Sequence, residues 1–127
     1  MRKLLLLLVT ALALAVPANA LAATKTVNIY GAIFQPARVT VDVGDTVKWT
    51  NKDQVGHSVT TRAGQPESFD SNPNCSVAVL PAPACMASGA TYTHTFTKAG
   101  TTEYYCRAHS MMTAKVVVLE HDANMTM

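Results

Sequence analysis

Apolar and polar residues alternate in several short runs along most of the chain. The clearest run is ARVTVDV, where Val39, Val41 and Val43 fall on one face and the residues between them on the other. The segments TKTVNIY, TVKWTN, HSVT, TYTHTF, TTEYYC and AKVVVLE have similar strand character. No segment has a helical apolar period of useful length. The pattern predicts an all-β protein, a Greek-key antiparallel β-sandwich of six or seven strands.

The N-terminus has the features of a secretory signal peptide. Arg2 and Lys3 precede an apolar stretch at residues 4–16, and Ala-Asn-Ala follows at residues 18–20. The apolar stretch is too short to be a convincing membrane span. We therefore expect residues 1–20 to be removed, with the cleavage site uncertain by a few residues. The mature protein is expected to be periplasmic, with no membrane anchor.

The remaining chain has the length of one domain, assigned to residues 21–120. Its strand pattern is interrupted at about residues 62–89, where Gly, Pro, Ser and Asn predominate, so we expect a long surface insertion there. Residues 121–127 contain a histidine and two methionines that could gather copper, but a flexible tail is the favoured interpretation. Four aromatic residues are predicted to lie in the core: Phe34, Trp49, Tyr92 and Phe96.

Charge excludes some classes of partner. The sequence contains 10 Lys and Arg residues and 8 Asp and Glu residues, and two of the basic residues, Arg2 and Lys3, belong to the predicted signal. The mature chain is therefore formally neutral and has no basic cluster of the kind that binds nucleic acid. We expect a monomer that does not bind nucleic acid.

Three cysteines in an exported protein leave one thiol unpaired. Cys75 and Cys85 enclose an apolar segment punctuated by prolines, which has the character of a loop, so they are predicted to form a disulfide. Cys106 then remains as a free thiol, and an exported thiol needs either protection or a ligand.

Cys106, His109 and Met112 have the spacing C-x2-H-x2-M, which lets one loop present three metal donors. Two histidines, one cysteine and a weak axial methionine form the blue-copper arrangement. His57, which follows a polar loop, is the candidate for the second histidine. The sequence therefore predicts one mononuclear copper ion that cycles between Cu(I) and Cu(II).

Three residues in or near this pattern have alternative interpretations. His57 alone could be an ordinary loop histidine. His94 is in phase with Tyr92 and Phe96, which favours a buried or edge histidine that makes one hydrogen bond. Met111 could compete with its neighbour as a ligand but is expected to be a surface contact near the site.

Two long segments carry a family resemblance: FQPARVTVDVGDTVKWTNKDQVGHSV and YTHTFTKAGTTEYYCRAHSMMTAKVVV. They resemble the cupredoxins, the blue type 1 copper proteins, and are most similar to the amicyanin and plastocyanin-like group. The resemblance covers most of residues 26–119 and implies a cupredoxin-like fold. It also implies four copper ligands: His57, Cys106, His109 and Met112.

The chain departs from the family pattern beside both histidines. Ser58 stands where the family commonly has an asparagine that ties the two ligand loops together, so a less firm connection is expected. Ala108 replaces a common proline, which predicts a less rigid loop. Gly56 is similar to the azurin pattern, in which a backbone carbonyl approaches the copper.

The resemblance implies an electron carrier that docks transiently with redox proteins near His109 and Met111. The alternative is a copper chaperone or storage protein with the same fold. An enzyme is not expected, because Cys106 is flanked by Tyr105 and Arg107 and not by the histidines that relay electrons in copper oxidases and nitrite reductases.

Overall fold

The computed structural model describes residues 21–76 and 84–121. The predicted signal peptide, part of the predicted insertion and nearly all of the predicted tail lie outside the described residues. Eight strands are present in the described part: β1 (Thr24–Tyr30), β2 (Ile33–Gln35), β3 (Arg38–Asp42), β4 (Thr46–Asn51), β5 (Thr60–Thr61), β6 (Thr91–Thr95), β7 (Gly100–Cys106) and β8 (His109–Leu119). Within those same residues, no helix has the length and apolar character that a membrane span requires.

The strands form two four-stranded sheets with the orders β2-β1-β4-β6 and β3-β8-β7-β5. The predicted all-β sandwich is confirmed, but the sheets are mixed and not purely antiparallel. β1 runs parallel to β4, and β3 runs parallel to β8. The chain leaves the first sheet after β2, adds β3 to the second sheet and then returns for β4. A crossover of this kind places two strands side by side without a hairpin, so they can run parallel.

The core lies between the two sheets and contains three of the four predicted aromatic residues. Phe34, Trp49 and Phe96 are buried, as predicted, whereas Tyr92 is only partly buried. Tyr92 lies on the edge strand β6, where its ring centroid is 5.9 Å from that of Trp49. The inward residues of the alternating strands thus form one continuous apolar layer behind the site described below.

The insertion is more than a surface excursion. Phe69 and Met86 are buried in the same core cluster as the strand residues. A disulfide joins Cys75, in the middle of the insertion, to Cys85, the residue before Met86. Part of the segment predicted to lie on the surface therefore packs into the domain, where the ring of Phe69 contacts those of Trp49 and Tyr104.

Candidate metal centre

Three potential metal ligands converge at one end of the sandwich. One ligand atom from each of His57, Cys106 and His109 lies within 4.8 Å of the others. The Sγ atom of Cys106 is 3.7 Å from Nδ1 of His57 and 3.5 Å from Nδ1 of His109. Both imidazoles thus direct the same type of nitrogen toward one sulfur. The residues fit copper, because two imidazole nitrogens and one thiolate are the trigonal donor set of a blue-copper site.

Strand pairing brings these residues together. Cys106 ends β7 and His109 begins β8, and the two are direct partners across a tight turn. His57 reaches the same place from another part of the chain through an isolated antiparallel bridge with Met86. Two backbone hydrogen bonds hold this bridge, with N···O distances of 3.3 Å from His57 to Met86 and 2.8 Å in the reverse direction.

The surroundings of Cys106 favour the form of the thiol that binds metals. Burial by itself raises its pKa, but hydrogen bonds from His57, from the Ser58 amide, from His109 and from the Ala108 amide outweigh burial and lower the pKa of Cys106 to about 6. A thiolate is the species that ligates metals. The polar groups around the sulfur therefore prepare it as a donor at neutral pH.

His57 is fully buried, whereas His109 is partly exposed. Burial lowers the pKa of an imidazole, but contacts with Cys106 and with Asp53 prevail and hold the pKa of His57 above its usual value. The two histidines therefore differ in their exposure to solvent. His109 is thus the more exposed of the two histidine ligand candidates.

The two adjacent methionines differ sharply in their surroundings. Met112 is 5% exposed and belongs to the same core cluster as Cys106, whereas Met111 is 92% exposed. Both lie within β8, which begins at His109 and not after the methionines as the sequence pattern predicted. Successive residues of a strand point to opposite faces, so an inward Met112 requires an outward Met111.

Ser58 connects the two segments that carry the ligands. Its amide donates to Sγ of Cys106 at 3.3 Å, and its hydroxyl accepts a hydrogen bond of 2.8 Å from the amide of Arg107. The same hydroxyl lies 3.0 Å from that of Thr60. A less firm connection between the two ligand segments was expected with serine in place of asparagine. The structure nevertheless has a direct hydrogen bond between them, from the amide of Arg107 to the hydroxyl of Ser58.

Two aspartates that the sequence analysis missed support the site. Asp53 Oδ2 lies 2.8 Å from Nε2 of His57. Asp70, within the insertion, accepts hydrogen bonds from Nε of Arg107 at 2.9 Å and from the hydroxyl of Thr60 at 3.0 Å. The only sequence signal for Asp53 is its place four residues before a candidate ligand. Asp70 had no signal, because its contacts depend on how the insertion folds back.

His94 lies apart from the three clustered ligands and makes the contact predicted for an edge histidine. Its Nε2 is 3.3 Å from Oε1 of Glu67, a residue that is 8% exposed. The same carboxylate accepts a hydrogen bond from the amide of Thr97. This contact attaches the insertion to β6.

Comparison with known proteins agrees with this geometry. Residues 22–119 match the family model described as copper binding proteins, plastocyanin/azurin family. The chain is 36% identical over 92 residues to amicyanin of Paracoccus denitrificans. This matched region covers 72% of this chain and 63% of that protein. It is 31% identical over 113 residues to the chloroplastic plastocyanin of Tetradesmus obliquus, with coverage of 87% and 74%.

Solved structures give the same relationship. The reduced state of an amicyanin mutant superposes with a TM-score of 0.61 at 33% identity, covering 76% of this chain and 82% of that one. The Cu(I) form of another amicyanin mutant gives 0.62 at 32% identity, with coverage of 80% and 88%. Both the fold and the copper-binding character of these proteins are thus similar to those of this chain.

Proposed function

The chain belongs to the plastocyanin/azurin family of copper-binding proteins, and on this basis we propose that it carries single electrons between redox partners. Bound copper supplies the one-electron chemistry by cycling between Cu(I) and Cu(II). The observation that carries the proposal is the approach of Nδ1 of His57 and Nδ1 of His109 to the thiol of Cys106. We assign these three residues as the strong ligands and Met112 as the weak axial ligand.

The same donors distinguish a carrier from a chaperone or storage protein. Cys106 and His57 are fully buried and fixed by backbone hydrogen bonds, which favours a retained ion. Only His109 approaches the surface, and its ring edge is the exit route for the electron. A transport protein needs ligands that exchange readily, and buried ligands held in this way do not meet that need.

An enzymatic role is not proposed. Tyr105 and Arg107 flank Cys106, so the cysteine has no adjacent histidine through which electrons could pass to a second metal centre. Among the described residues, only one group of histidines, cysteines and acidic residues is arranged to hold a metal ion. A carrier needs no more than this single centre.

The carrier proposal is tested by loading the mature protein with one equivalent of Cu(II) and recording visible and electron-spin spectra. Ascorbate and ferricyanide then reduce and reoxidise the protein repeatedly in the presence of a Cu(I) chelator. A carrier develops an intense blue colour and keeps its copper through the cycles. Transfer of the copper to the chelator after the first reduction would support the storage alternative instead.

Partners are proposed to dock around His109 and the exposed side chain of Met111. Weak and rapidly released complexes have small interfaces, for which a few apolar contacts suffice. Met111→Glu should slow electron self-exchange at low ionic strength about tenfold, because two like charges then meet at the docking face. The visible spectrum should be unchanged, since this side chain points away from the core.

The matched control for this variant is Leu119→Glu. Leu119 is also an exposed apolar residue of β8, 49% accessible, but it lies eight residues further along the strand. That separation is about 26 Å at the usual rise of a β-strand. Equal self-exchange rates in the two variants would refute the proposed docking face.

The axial assignment predicts different behaviour for the two methionines. Met112→Leu should keep the blue colour but raise the reduction potential by about 59 mV or more, equivalent to at least a tenfold shift in preference toward Cu(I). The reason is that a thioether stabilises Cu(II) as an additional donor, and leucine has no donor atom. Met111→Leu is the control and should leave the potential unchanged. If the potential changes in Met111→Leu and not in Met112→Leu, then Met111 is the axial ligand and the assignment is wrong by one residue.

The domain and compartment assignments are also proposals. We propose that residues 1–20 direct export to the periplasm and that residues 21–120 form the monomeric copper domain. The disulfide between Cys75 and Cys85 supports an oxidising compartment. Mass spectrometry of protein isolated from the periplasm tests both the cleavage site and the redox state of the cysteines.

A further inference from the structure

We infer that Asp53 is a positioning residue of the copper site, which fixes the ring of His57 and stabilises the oxidised centre with its negative charge. The inference rests on the proposed function. It concerns the side of His57 that faces away from Cys106. Burial of the ring means that solvent cannot supply a hydrogen-bond partner there.

The contact determines which nitrogen of His57 carries a proton. An ionised carboxylate only accepts hydrogen bonds, so Nε2, at 2.8 Å from Asp53, must be the donor. In a neutral imidazole the other nitrogen, Nδ1, then carries the lone pair. Nδ1 is the atom that lies 3.7 Å from Sγ of Cys106. Asp53 therefore selects the tautomer that can donate to copper.

Asp53 is itself held in place by the backbone. Its carboxylate accepts hydrogen bonds from the amides of Gly31 at 2.7 Å and Ala32 at 2.8 Å. Its own amide donates to Oδ1 of Asn51 at 2.9 Å, and Asn51 in turn donates to the carbonyl of Met86 at 2.9 Å. The carboxylate thus has little freedom to turn away from His57.

The turn between β1 and β2 is built around this carboxylate. Gly31 and Ala32 both have positive φ angles, 62° and 55°. Two positive φ angles are what a tight two-residue hairpin turn requires, but this conformation is unfavourable for alanine. The strained turn directs two amides at Asp53, so the hairpin and the ligand support one another.

The negative charge of Asp53 has a predictable effect on the equilibrium between Cu(II) and Cu(I). The side chain of Asp53 is 13% exposed, so water screens its charge only partly. A nearby negative charge stabilises Cu(II) more than Cu(I), and a carboxylate that accepts from a ligand histidine also makes that histidine a stronger donor. Both effects lower the reduction potential. Asp53 therefore sets the potential without touching the metal.

The test compares Asp53→Asn with Glu103→Gln in the copper-loaded protein. The first variant keeps the shape and one acceptor oxygen but removes the charge. We expect the preference for Cu(II) over Cu(I) to fall about tenfold, which is a rise of about 59 mV in the potential, while the blue colour remains. Glu103 is an exposed residue of β7, so its variant loses the same charge away from His57 and should shift the preference less than threefold. Equal shifts in the two variants would overturn the inference.

A second measurement uses the unaltered chain, because Asp53→Asn also weakens support for the hairpin turn. Nitrogen-15 NMR of the reduced, diamagnetic protein should find a slowly exchanging proton on Nε2 of His57. A proton on Nδ1, or rapid exchange with solvent, would refute the role of Asp53. If the chain forms no blue site, the carrier proposal fails, and the same NMR measurement on the metal-free protein still decides whether Asp53 positions His57.

Discussion

Replacing Cys106 with serine should abolish the blue colour and weaken copper binding by more than about a hundredfold. Changing a residue that only supports a ligand typically costs 10–100-fold in metal affinity, so loss of a ligand should cost more. The sulfur is fully buried and ionises readily, with a pKa of about 6. A serine hydroxyl does not ionise at neutral pH and offers a hard oxygen, to which Cu(I) binds poorly.

The control for this effect is a pair of cysteine-to-serine changes elsewhere in the same chain. Cys75→Ser combined with Cys85→Ser removes two sulfurs outside the ligand cluster and should leave the colour intact. Visible absorption measures the blue colour, and competition with a chelator of known affinity measures copper binding. A Cys106→Ser protein that remained intensely blue would remove Cys106 from the site and the carrier proposal with it.

Much of the fold was predictable from alternation alone, because alternation reports which face of a strand is buried. It predicted the strands around Val39 and Trp49 and the two-sided sandwich. It does not report which strands become neighbours. The parallel pairs β1–β4 and β3–β8 depend on crossovers between sheets, and such contacts between distant segments leave no local pattern.

The residues of the site were also only partly predictable from local sequence patterns. Cys106, His109 and Met112 lie within seven residues, so their spacing alone indicated a shared centre. His57 is distant in sequence and was identified only from the missing donor and the family resemblance. Asp53 was missed because the reason for its position lies in the amides of a hairpin turn more than twenty residues earlier.

The ligand segment shows why boundaries are harder to predict than the existence of elements. The sequence pattern predicts a loop at residues 106–112, since the dense polar and sulfur residues conceal strand periodicity. In the structure only a short turn separates β7 from β8, and a β-bulge interrupts the register between Tyr105 and Cys106. Cys106 nevertheless stays in phase with the buried residues Thr102 and Tyr104, and a local irregularity of this kind is common beside functional sites.

The disulfide lies close to the site along the chain without contributing to it. Cys85 is followed by Met86, whose backbone pairs with that of His57. Met86 is also held by the side chain of Asn51, so this pairing has support that is independent of the sulfur bridge. Removal of the bridge should therefore reduce global stability while the ligands remain assembled.

The Cys75→Ser and Cys85→Ser double variant should unfold more easily by about 2.5–3 kcal/mol. The bridge closes a loop with a sequence separation of 10, and the chain-entropy model assigns roughly this free energy to a loop of that size. For a domain of about 100 residues the melting temperature should fall by about 10–20 °C. The variant and the unaltered protein must both be measured without copper, since a metal that binds only the folded state adds stability of its own.

Copper-loaded samples of the variant should still be blue, and peptide mapping of the unaltered chain should find Cys106 unbridged. A disulfide that involves Cys106 in the copper-loaded protein would contradict both the pairing and the ligand assignment.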